Sequence, residues 1–436
     1  MRESVAPTSP KEVERHNVNL RLDRLGLLEK FRKVRTQTEA ICKPLEIEDY
    51  VVQSMPDVSP TRWHLAHTSW FFETFVLKAA DPAYVSIDAA YDFLFNSYYN
   101  LVGKRWSRPE RGLLTRPTVK EIYAYRAYVN AALERLLGFV SEEAFLKVAP
   151  IIELGLNHEQ QHQELILTDI KHVLSINPLH PQYTQSKPVG PVHVMPMGWR
   201  NMDEGLYEIG YGEDGFAFDN EQPVHRIYLD DFQIADRLTT CGEYLDFMSQ
   251  GGYAHPEIWL SDGWNEVQTH GWNAPLYWDQ HEDGTWWQTT LCGYRLVKHD
   301  EPVTHVSYYE AEAFAAWSGA RLPREEEWEV AANKETISGS FLEAEHFHPI
   351  AASTNDARLM QLYGEVWQWT ASNYLPYPGF KAPEGALGEY NGKFMSNQMV
   401  LRGASCVTPR SHARLTYRNF FPPYARWQFS GIRLAR

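Results

Sequence analysis

The 436-residue sequence is poor in cysteine, in long apolar runs and in positive charge. Its four cysteines are far apart and form no Cys-x-x-Cys pair, which excludes a zinc ribbon and a thioredoxin-type motif. No apolar run approaches the roughly 18 residues of a transmembrane helix. The 41 Lys and Arg against 56 Asp and Glu give a net charge of −15, which disfavours a protein that binds nucleic acid by neutralising phosphates.

The amino-terminal residues 1–30 also lack the apolar core of a secretory signal peptide. Together with the cysteine usage, this predicts a cytoplasmic protein with reduced, mostly buried thiols. From the same absences we predict that the protein binds neither a membrane nor nucleic acid. The sequence makes no prediction of oligomeric state. What the chain has in excess is aromatic residues, 14% of the total, which can serve a large core or a loop-built pocket.

The pattern of apolar residues divides the chain into two halves. Helical periodicity predicts four helices, one of them from about Val119 to Phe139, with a long crossing connection at roughly 80–116, as in a bundle that holds a site in its interior. Pro150 is expected to interrupt the last helix. Short strands, turn residues and many aromatic residues follow a proline-rich stretch. We therefore predict an α+β protein with a helical domain at 15–180, a linker at 181–195 and a second domain at 196–436.

The string His158-Glu159-Gln160-Gln161-His162 carries two histidines at an i, i+4 spacing. On a helix this spacing places both imidazoles on one face, close enough to share a metal ion. Both histidines lie on the apolar stripe of the last bundle helix, where an unpaired imidazole is costly to bury. The pattern therefore favours a metal-ligating pair over two histidines that are only hydrogen-bonded in the core.

A third ligand is expected on the second helix, which contains His64 and His67. Periodicity does not separate these two candidates. Three neutral imidazoles that leave coordination positions open suit Fe(II) or Zn²⁺. The histidine string also matches the His-Glu-x-x-His signature of zinc metalloproteases. However, Thr168 stands at the downstream His offset and no Glu occurs between Leu165 and Asp203, so a protease is not predicted.

Both halves resemble known families. His67, His158 and His162, with Gln161 between the last two, resemble the DinB-like iron-binding half of the ergothioneine-biosynthesis sulfoxide synthases, or hercynine oxygenases. The second half resembles the formylglycine-generating-enzyme (sulfatase-modifying-factor) domain, a C-type-lectin-like fold. The strings that carry this second resemblance are Gln222-Pro223-Val224-His225, Pro302-Val303-Thr304-His305-Val306-Ser307, Ala320-Arg321-Leu322-Pro323-Arg324-Glu325-Glu326-Glu327-Trp328-Glu329, Gly364-Glu365-Val366-Trp367-Gln368-Trp369-Thr370, Leu401-Arg402-Gly403-Ala404-Ser405 and Ser430-Gly431-Ile432-Arg433-Leu434-Ala435.

The first resemblance implies an O2-dependent non-haem Fe(II) enzyme. Such an enzyme joins a thiol, either cysteine or gamma-glutamylcysteine, to C2 of the imidazole of hercynine (N-alpha-trimethylhistidine) and oxidises the sulfur to the sulfoxide. The implied iron ligands are His67, His158 and His162. Neutral imidazoles suit this role because they leave the metal its positive charge, which promotes ionisation of a bound thiol.

The resemblance also implies roles for residues of the long bundle loop. Tyr98 and Tyr99 stand where one branch of the family carries its proton donor, whereas another branch takes a tyrosine from the second half. Arg105 and Arg108 are expected to bind the carboxylate of the thiol substrate, for which a guanidinium fork is suited.

The expected hercynine pocket lies where the two halves meet. By the resemblance, Gln161 would reach the edge of the imidazole and Asn419 would hydrogen-bond the carboxylate. Phe420 and Phe421 would form an apolar wall beside the quaternary ammonium group, since aromatic faces attract such cations.

Three other functions fit parts of the sequence. A formylglycine-generating oxidase needs a cysteine pair near the carboxyl end, but the Thr408–Arg414 stretch has none and Cys406 is solitary. An ovothiol-type 5-histidylcysteine sulfoxide synthase, which joins cysteine to histidine, usually carries a methyltransferase domain, for which this chain has no Gly-rich segment. A non-catalytic metal-stabilised bundle fused to a lectin-like binding module predicts no O2 consumption with any thiol.

Overall fold

The computed structural model describes residues 24–190, 192, 194–353 and 359–436. The predicted start of the helical domain at residue 15 lies outside these ranges, as do residues 191 and 193 of the predicted linker. A helical first half precedes a second half of short strands and helices, so the predicted α+β class is confirmed. No helix among the described residues combines the length and the apolar composition that crossing a membrane requires.

Four long helices form the bundle of the first half. A Thr118–Glu121 capping box begins one of them, and the Ser141 side chain caps the next. A π-helical turn, Glu73–Leu77, continues the second helix without a break. In chain order the helices are α1 (Arg24–Cys42), α2 (Thr61–Phe72), the short α3 (Lys78–Ala80) and α4 (Tyr91–Phe95), α5 (Val119–Phe139) and α6 (Glu142–Ser175), of which α1, α2, α5 and α6 make up the bundle.

Pro150 does not interrupt the last bundle helix, contrary to the prediction from the sequence. Helix α6 runs without a break through 34 residues. A proline inside a helix removes one N–H and leaves the carbonyl four residues earlier without its partner. That carbonyl belongs to Leu146, and both Leu146 and Pro150 lie on the exposed face of α6, where water can bind it. The long helix therefore tolerates the proline.

A buried carboxylate joins three of the bundle helices. Glu159 on α6 accepts hydrogen bonds from Arg35 of α1 at 2.8 Å, from Thr38 of α1 at 2.6 Å, and from Arg126 of α5. Burial alone would raise the pKa of Glu159, but Arg126 and Arg35 hold it at about 2. The carboxylate is thus charged at neutral pH and fully paired, which fixes the rotation of α6 next to His158.

Removal of this buried carboxylate is expected to destabilise the protein strongly. Glu159→Ala leaves the buried Arg35 guanidinium without its anion and leaves Arg126 only its pair with Glu39. The free energy of unfolding should therefore fall by about 3 to 5 kcal/mol. The matched control is Glu134→Ala, which breaks the exposed pair with Arg32 and should cost at most about 1 kcal/mol. Urea-induced unfolding of both variants measures the difference, and equal losses would contradict the role given to Glu159.

The second half consists of short strands in four separate sheets, together with four helices, in the residues described. Strands β1 and β4 pair, β2 pairs with β3, β5-β6-β7 form a three-stranded sheet, and β10-β9-β8-β11 form the largest sheet. The strands are β1 (Trp199–Met202), β2 (Gly205–Ile209), β3 (His225–Leu229), β4 (Phe232–Ala235), β5 (Trp278–Gln280), β6 (Trp286–Thr290), β7 (Gly293–Leu296), β8 (Trp367–Asn373), β9 (Met399–Gly403), β10 (Asn419–Phe421) and β11 (Ser430–Gly431), and the helices are α7 (Cys241–Ser249), α8 (Ser261–His270), α9 (Tyr308–Trp317) and α10 (Glu325–Ala332).

Helix α6 also carries the main polar contact between the halves. The buried carboxylate of Glu164 accepts hydrogen bonds from Trp367 Nε1 at 2.7 Å, Ser405 Oγ at 2.6 Å and Thr408 Oγ1 at 2.8 Å. Two turns later, Lys171 Nζ lies 2.6 Å from His305 Nε2. These contacts dock the largest sheet against α6, so that β10 lies beside the histidines of the bundle.

The segment predicted as a linker is bound to both halves. Tyr183 donates its hydroxyl proton to the Ile41 carbonyl at 2.7 Å and its backbone N–H to the Leu291 carbonyl at 2.9 Å. The side chain of Tyr183 is buried. The connection therefore helps to hold the two halves in one arrangement.

Candidate metal centre and active site

Three histidines converge inside the bundle, one from α2 and two from α6. His158 Nε2 lies 3.2 Å from His67 Nε2 and 3.0 Å from His162 Nε2. The ligand nitrogens of the three residues all lie within 4.8 Å of one another. Two imidazole nitrogens, each about 2.1 Å from one metal ion and at right angles, are about 3.0 Å apart. The separations of His158 from His67 and from His162 therefore fit imidazoles that bind one metal ion together.

Hydrogen bonds at the far ring nitrogens of His67 and His162 fix which nitrogen of each ring faces the centre of the cluster. His67 Nδ1–H donates to the Phe95 carbonyl at 2.6 Å, so Nε2 carries the lone pair. Asp169 accepts from His64 Nε2 at 3.0 Å, which leaves His64 Nδ1 to accept the Nδ1–H of His162 at 2.8 Å. His162 therefore also presents the lone pair of Nε2 to the centre of the cluster.

The structure thus separates the two candidates on α2. His67 completes the cluster with His158 and His162, whereas His64 lies behind His162 and is held by Asp169. A carboxylate–histidine relay behind a ligand fixes its tautomer and its orientation. His64 is consequently a supporting residue of the cluster.

Burial keeps the three histidines neutral, as metal ligands must be. It lowers the pKa of His158 to about 3 and the pKa values of His67 and His162 well below their usual range. Trp63 and Trp70 stack on the two faces of the His67 ring, with centroid distances of 4.6 and 5.5 Å. The donor set is neutral and rigid, and it fits a divalent transition metal.

Loss of the supporting carboxylate is expected to weaken metal binding. Asp169→Ala removes the acceptor that fixes His64 and, through it, the tautomer of His162, so metal affinity should fall by about 10- to 100-fold. Competition with a chelator measures it. Asp57→Ala is the matched control, because Asp57 lines the same cavity and bonds to no histidine of the described chain. Equal affinities of the two variants would contradict the relay.

A cavity of about 790 Å³ lies between the two halves and reaches the histidines. It brings together most of the residues that the sequence analysis predicted for the site. His67 and Tyr99 do not line it, because both are buried behind its wall. The predicted residues that line the cavity are Tyr98, Arg105, Arg108, His158, Gln161, His162, Asn419, Phe420 and Phe421.

The two predicted tyrosines differ in their surroundings. Tyr98 faces the cavity, and its ring centroid lies 4.7 Å from that of Tyr99. Tyr99 packs against Phe75 of the π-helical turn at 5.0 Å and against Trp70 at 5.7 Å. Its buried hydroxyl hydrogen-bonds to no residue of the described ranges. Burial raises the pKa of both phenols, so both keep their protons at neutral pH.

A third arginine, which the sequence analysis missed, lies deeper than the predicted pair. Arg105 and Arg108 are exposed at the cavity wall, whereas Arg111 is 4% exposed. Its guanidinium lies 3.3 Å from the Trp63 ring centroid and donates to Ser59 Oγ at 2.8 Å. No carboxylate of the described residues forms an ion pair with it. Burial and the charge of Arg108 lower the pKa of Arg111. The three-residue spacing of Arg105, Arg108 and Arg111 was the one sequence signal that could have pointed to it.

Tyr390 of the second half was also missed. Its hydroxyl donates a hydrogen bond to Gln161 Oε1, and its ring centroid lies 5.5 Å from that of His158. It belongs to a polar, glycine-containing stretch without a motif, and only the fold brings it to the cavity. On the same stretch, Glu389 accepts the backbone N–H groups of Asn100 at 3.1 Å and Leu101 at 2.8 Å. The second half is thereby tied to the loop that carries Tyr98.

Family models match the two halves separately. Residues 30–166 match the DinB superfamily, and residues 191–352 and 333–436 match the sulfatase-modifying factor enzyme 1-like domain. The prediction of a DinB-like bundle followed by a sulfatase-modifying-factor domain is confirmed.

Individual relatives match along most of the chain. Hercynine oxygenase of Mycobacterium tuberculosis is 30% identical over 403 residues, which cover 87% of this chain and 91% of that protein. Hercynine oxygenase of Mycolicibacterium thermoresistibile is 30% identical over 406 residues, with 87% and 88% covered. Ergothioneine biosynthesis protein 1 of Schizosaccharomyces pombe is 27% identical over 251 residues, which cover 54% of this chain and 28% of that protein. The chain with this histidine cluster belongs to the hercynine oxygenase family.

Proposed function

We propose that the protein is an Fe(II)- and O2-dependent sulfoxide synthase of ergothioneine biosynthesis, which joins a thiol to C2 of the hercynine imidazole. The observation that carries this proposal is the cluster of three neutral imidazoles at a cavity built from both halves. In the overall reaction one O2 supplies the sulfoxide oxygen. Its other atom leaves as water with the thiol hydrogen and the hydrogen of C2.

Fe(II) would be held by His67, His158 and His162. When bound, it would supply redox chemistry toward O2 and open coordination positions for the thiol sulfur and O2, while the electrons that reduce O2 come overall from the thiol and hercynine. The chain's own residues then have to place the hercynine ring beside the sulfur and to provide a proton. Such placement lowers the barrier because the reacting groups meet already oriented.

Hercynine would lie against the wall that β10 forms. Asn419 Oδ1 accepts the backbone N–H of Phe420 at 2.9 Å, which leaves its amide NH2 free to donate to the substrate carboxylate. Phe420 is stacked on Tyr374 with a centroid distance of 4.1 Å, and Phe421 contacts Trp427 at 6.1 Å. A fixed aromatic wall suits a trimethylammonium group, which gains cation–π attraction and needs no hydrogen bond.

The thiol substrate would be held by the three arginines of the bundle loop. Arg111 is buried and positively charged, and its Nε hydrogen-bonds to no described residue, so an anion can bind there. Arg105 and Arg108 surround the entrance to the same part of the cavity. Cysteine and gamma-glutamylcysteine both carry a carboxylate that fits this group of cations.

An oxygen-electrode assay of Fe(II)-loaded protein, with hercynine and each thiol in turn, tests the proposal. We expect O2 consumption that requires both substrates, with the sulfoxide identified by NMR. Zinc-loaded protein is the control, since Zn²⁺ has no redox chemistry. Turnover of histidine in place of hercynine would point to the ovothiol-type reaction. No consumption with any thiol would point to a binding module.

A further inference from the structure

A row of buried hydrogen bonds leads from the second half to Gln161 at the cavity. It begins at His412, in the turn Arg410–His412, which is 1% exposed and does not line the cavity. His412 Nδ1 lies 3.2 Å from Asn157 Oδ1, and His412 Nε2 lies 3.2 Å from the Tyr417 hydroxyl. That hydroxyl in turn accepts from Gln161 Nε2 at 2.6 Å. Four side chains therefore form one connected row.

The hydrogen bond that Asn157 makes at the far end of the row determines the direction of every other hydrogen bond in it. Asn157 Nδ2 donates to the Glu153 carbonyl at 3.0 Å, so Asn157 Oδ1 must be the atom that faces His412. His412 then carries its proton on Nδ1 and accepts at Nε2. Tyr417 has to donate its hydroxyl proton to that nitrogen, and its oxygen accepts from the amide NH2 of Gln161.

Gln161 consequently turns its carbonyl oxygen the other way. Oε1 accepts the hydroxyl proton of Tyr390 and keeps a second lone pair for a donor in the cavity. A glutamine amide has nearly the same shape when it is turned over, so only its hydrogen bonds determine which atom faces the cavity. Burial and the charge of Arg414 lower the pKa of His412, which keeps the acceptor nitrogen free of a proton.

We propose that His412 is a positioning residue that acts through Tyr417 to hold the carbonyl oxygen of Gln161 toward the cavity. The site would thereby select a ring that presents an N–H at this point. The inference rests on the proposed function, in which that ring is the hercynine imidazole.

His412→Leu tests the proposal because it keeps the bulk and removes the acceptor. The Tyr417 hydroxyl proton then turns to Gln161, where only Oε1 can accept it, and the amide NH2 faces the cavity. We expect the Kd of hercynine for the metal-loaded protein to rise about tenfold, the effect of one hydrogen bond replaced by an unsatisfied pair of donors. The Kd of the thiol should not change. His412→Gln, whose amide oxygen reaches the place of Nε2, should restore most of the affinity.

The matched control is His348→Leu, which removes another buried histidine of the second half, one whose Nε2 lies 3.2 Å from a Glu301 carboxylate oxygen. We expect it to leave hercynine affinity unchanged. A hercynine Kd that stays at the wild-type value in His412→Leu overturns the proposal. The same holds if His412→Leu and His348→Leu weaken binding equally, because a merely structural role would give that result.

A second readout does not depend on hercynine. In zinc-loaded protein labelled with 15N-glutamine, the Gln161 amide resonances are identified by their loss in Gln161→Glu. These resonances should shift in His412→Leu and return toward their wild-type positions in His412→Gln. Resonances that do not move in His412→Leu overturn the proposal. If the resonances shift while hercynine fails to bind the wild-type protein, the proposed function alone is wrong. If His412→Leu does not fold, Tyr417→Phe breaks the same row of hydrogen bonds. Gln161 amide resonances that stay at their wild-type positions in Tyr417→Phe would likewise overturn the proposal.

Discussion

Replacing His162 by Ala is expected to abolish stoichiometric iron binding and all hercynine-dependent O2 consumption. His162 supplies one of three Nε2 atoms that meet inside the bundle, and the variant leaves two imidazoles and a hole. Two neutral nitrogens bind Fe(II) far more weakly than three, because the lost ligand is replaced by water at best. Iron content after reconstitution under anaerobic conditions, measured by a colorimetric chelator, gives the result.

The control for this experiment lies on the same helix. His172 of α6 bonds to Ser54 Oγ at 2.6 Å and does not belong to the cluster, so His172→Ala should keep its iron. His64→Ala should weaken binding without abolishing it, since His64 only supports His162. Stoichiometric iron in His162→Ala, or a complete loss in His64→Ala, would show that the ligand set is wrong.

The double variant Tyr98→Phe/Tyr99→Phe is expected to divert the reaction from the sulfoxide to the sulfinic acid of the thiol. Both products consume O2, and prompt delivery of a proton to the reduced oxygen favours C–S bond formation over transfer of both oxygen atoms to sulfur. Phenylalanine keeps the packing and removes the donor. Sulfoxide formation should fall by about 100-fold, the usual contribution of a general acid, while affinity for iron and hercynine stays nearly intact. NMR analysis of the products measures the ratio.

The single variants distinguish the two tyrosines. Tyr98 lines the cavity and Tyr99 lies behind it, so Tyr98→Phe should account for most of the change. An unchanged ratio of sulfoxide to sulfinate in the double variant means that neither tyrosine donates the proton. Tyr390 and Tyr417, which line the cavity from the second half, would then be the next residues to replace.

Local patterns in the sequence predicted much of the bundle. The Pro117-Thr118 start and the helical periodicity after it predicted α5 with the bounds that the structure has, since both signals are local to the helix. The i, i+4 histidine pair likewise required only helical geometry. Its third partner did not follow from periodicity, because every residue of α2 is buried and no single face points to the core. A helix surrounded by protein gives no pattern from which to choose between His64 and His67.

Local sequence patterns could not predict the site residues that come together only when the two halves dock. Tyr390 reaches Gln161 across 229 positions of the sequence, and no local motif marks it. Nothing in the sequence around Arg111 marks it as more buried than Arg105 and Arg108. Its burial depends on Trp63, which lies on another element. Predictions from the sequence therefore fail where a site is assembled from loops of both halves.

Helix α6 imposes a rule on how members of this family can be recombined. Its metal face, with His158 and His162, and its docking face, with Glu164 and Lys171, belong to one continuous helix. One residue inserted between His162 and Glu164 would rotate the faces relative to each other by about 100° and separate them by about 1.5 Å. A chimera that exchanges second halves should therefore take residues 158–171 from the parent that supplies the second half, and place its junction in a loop before α6.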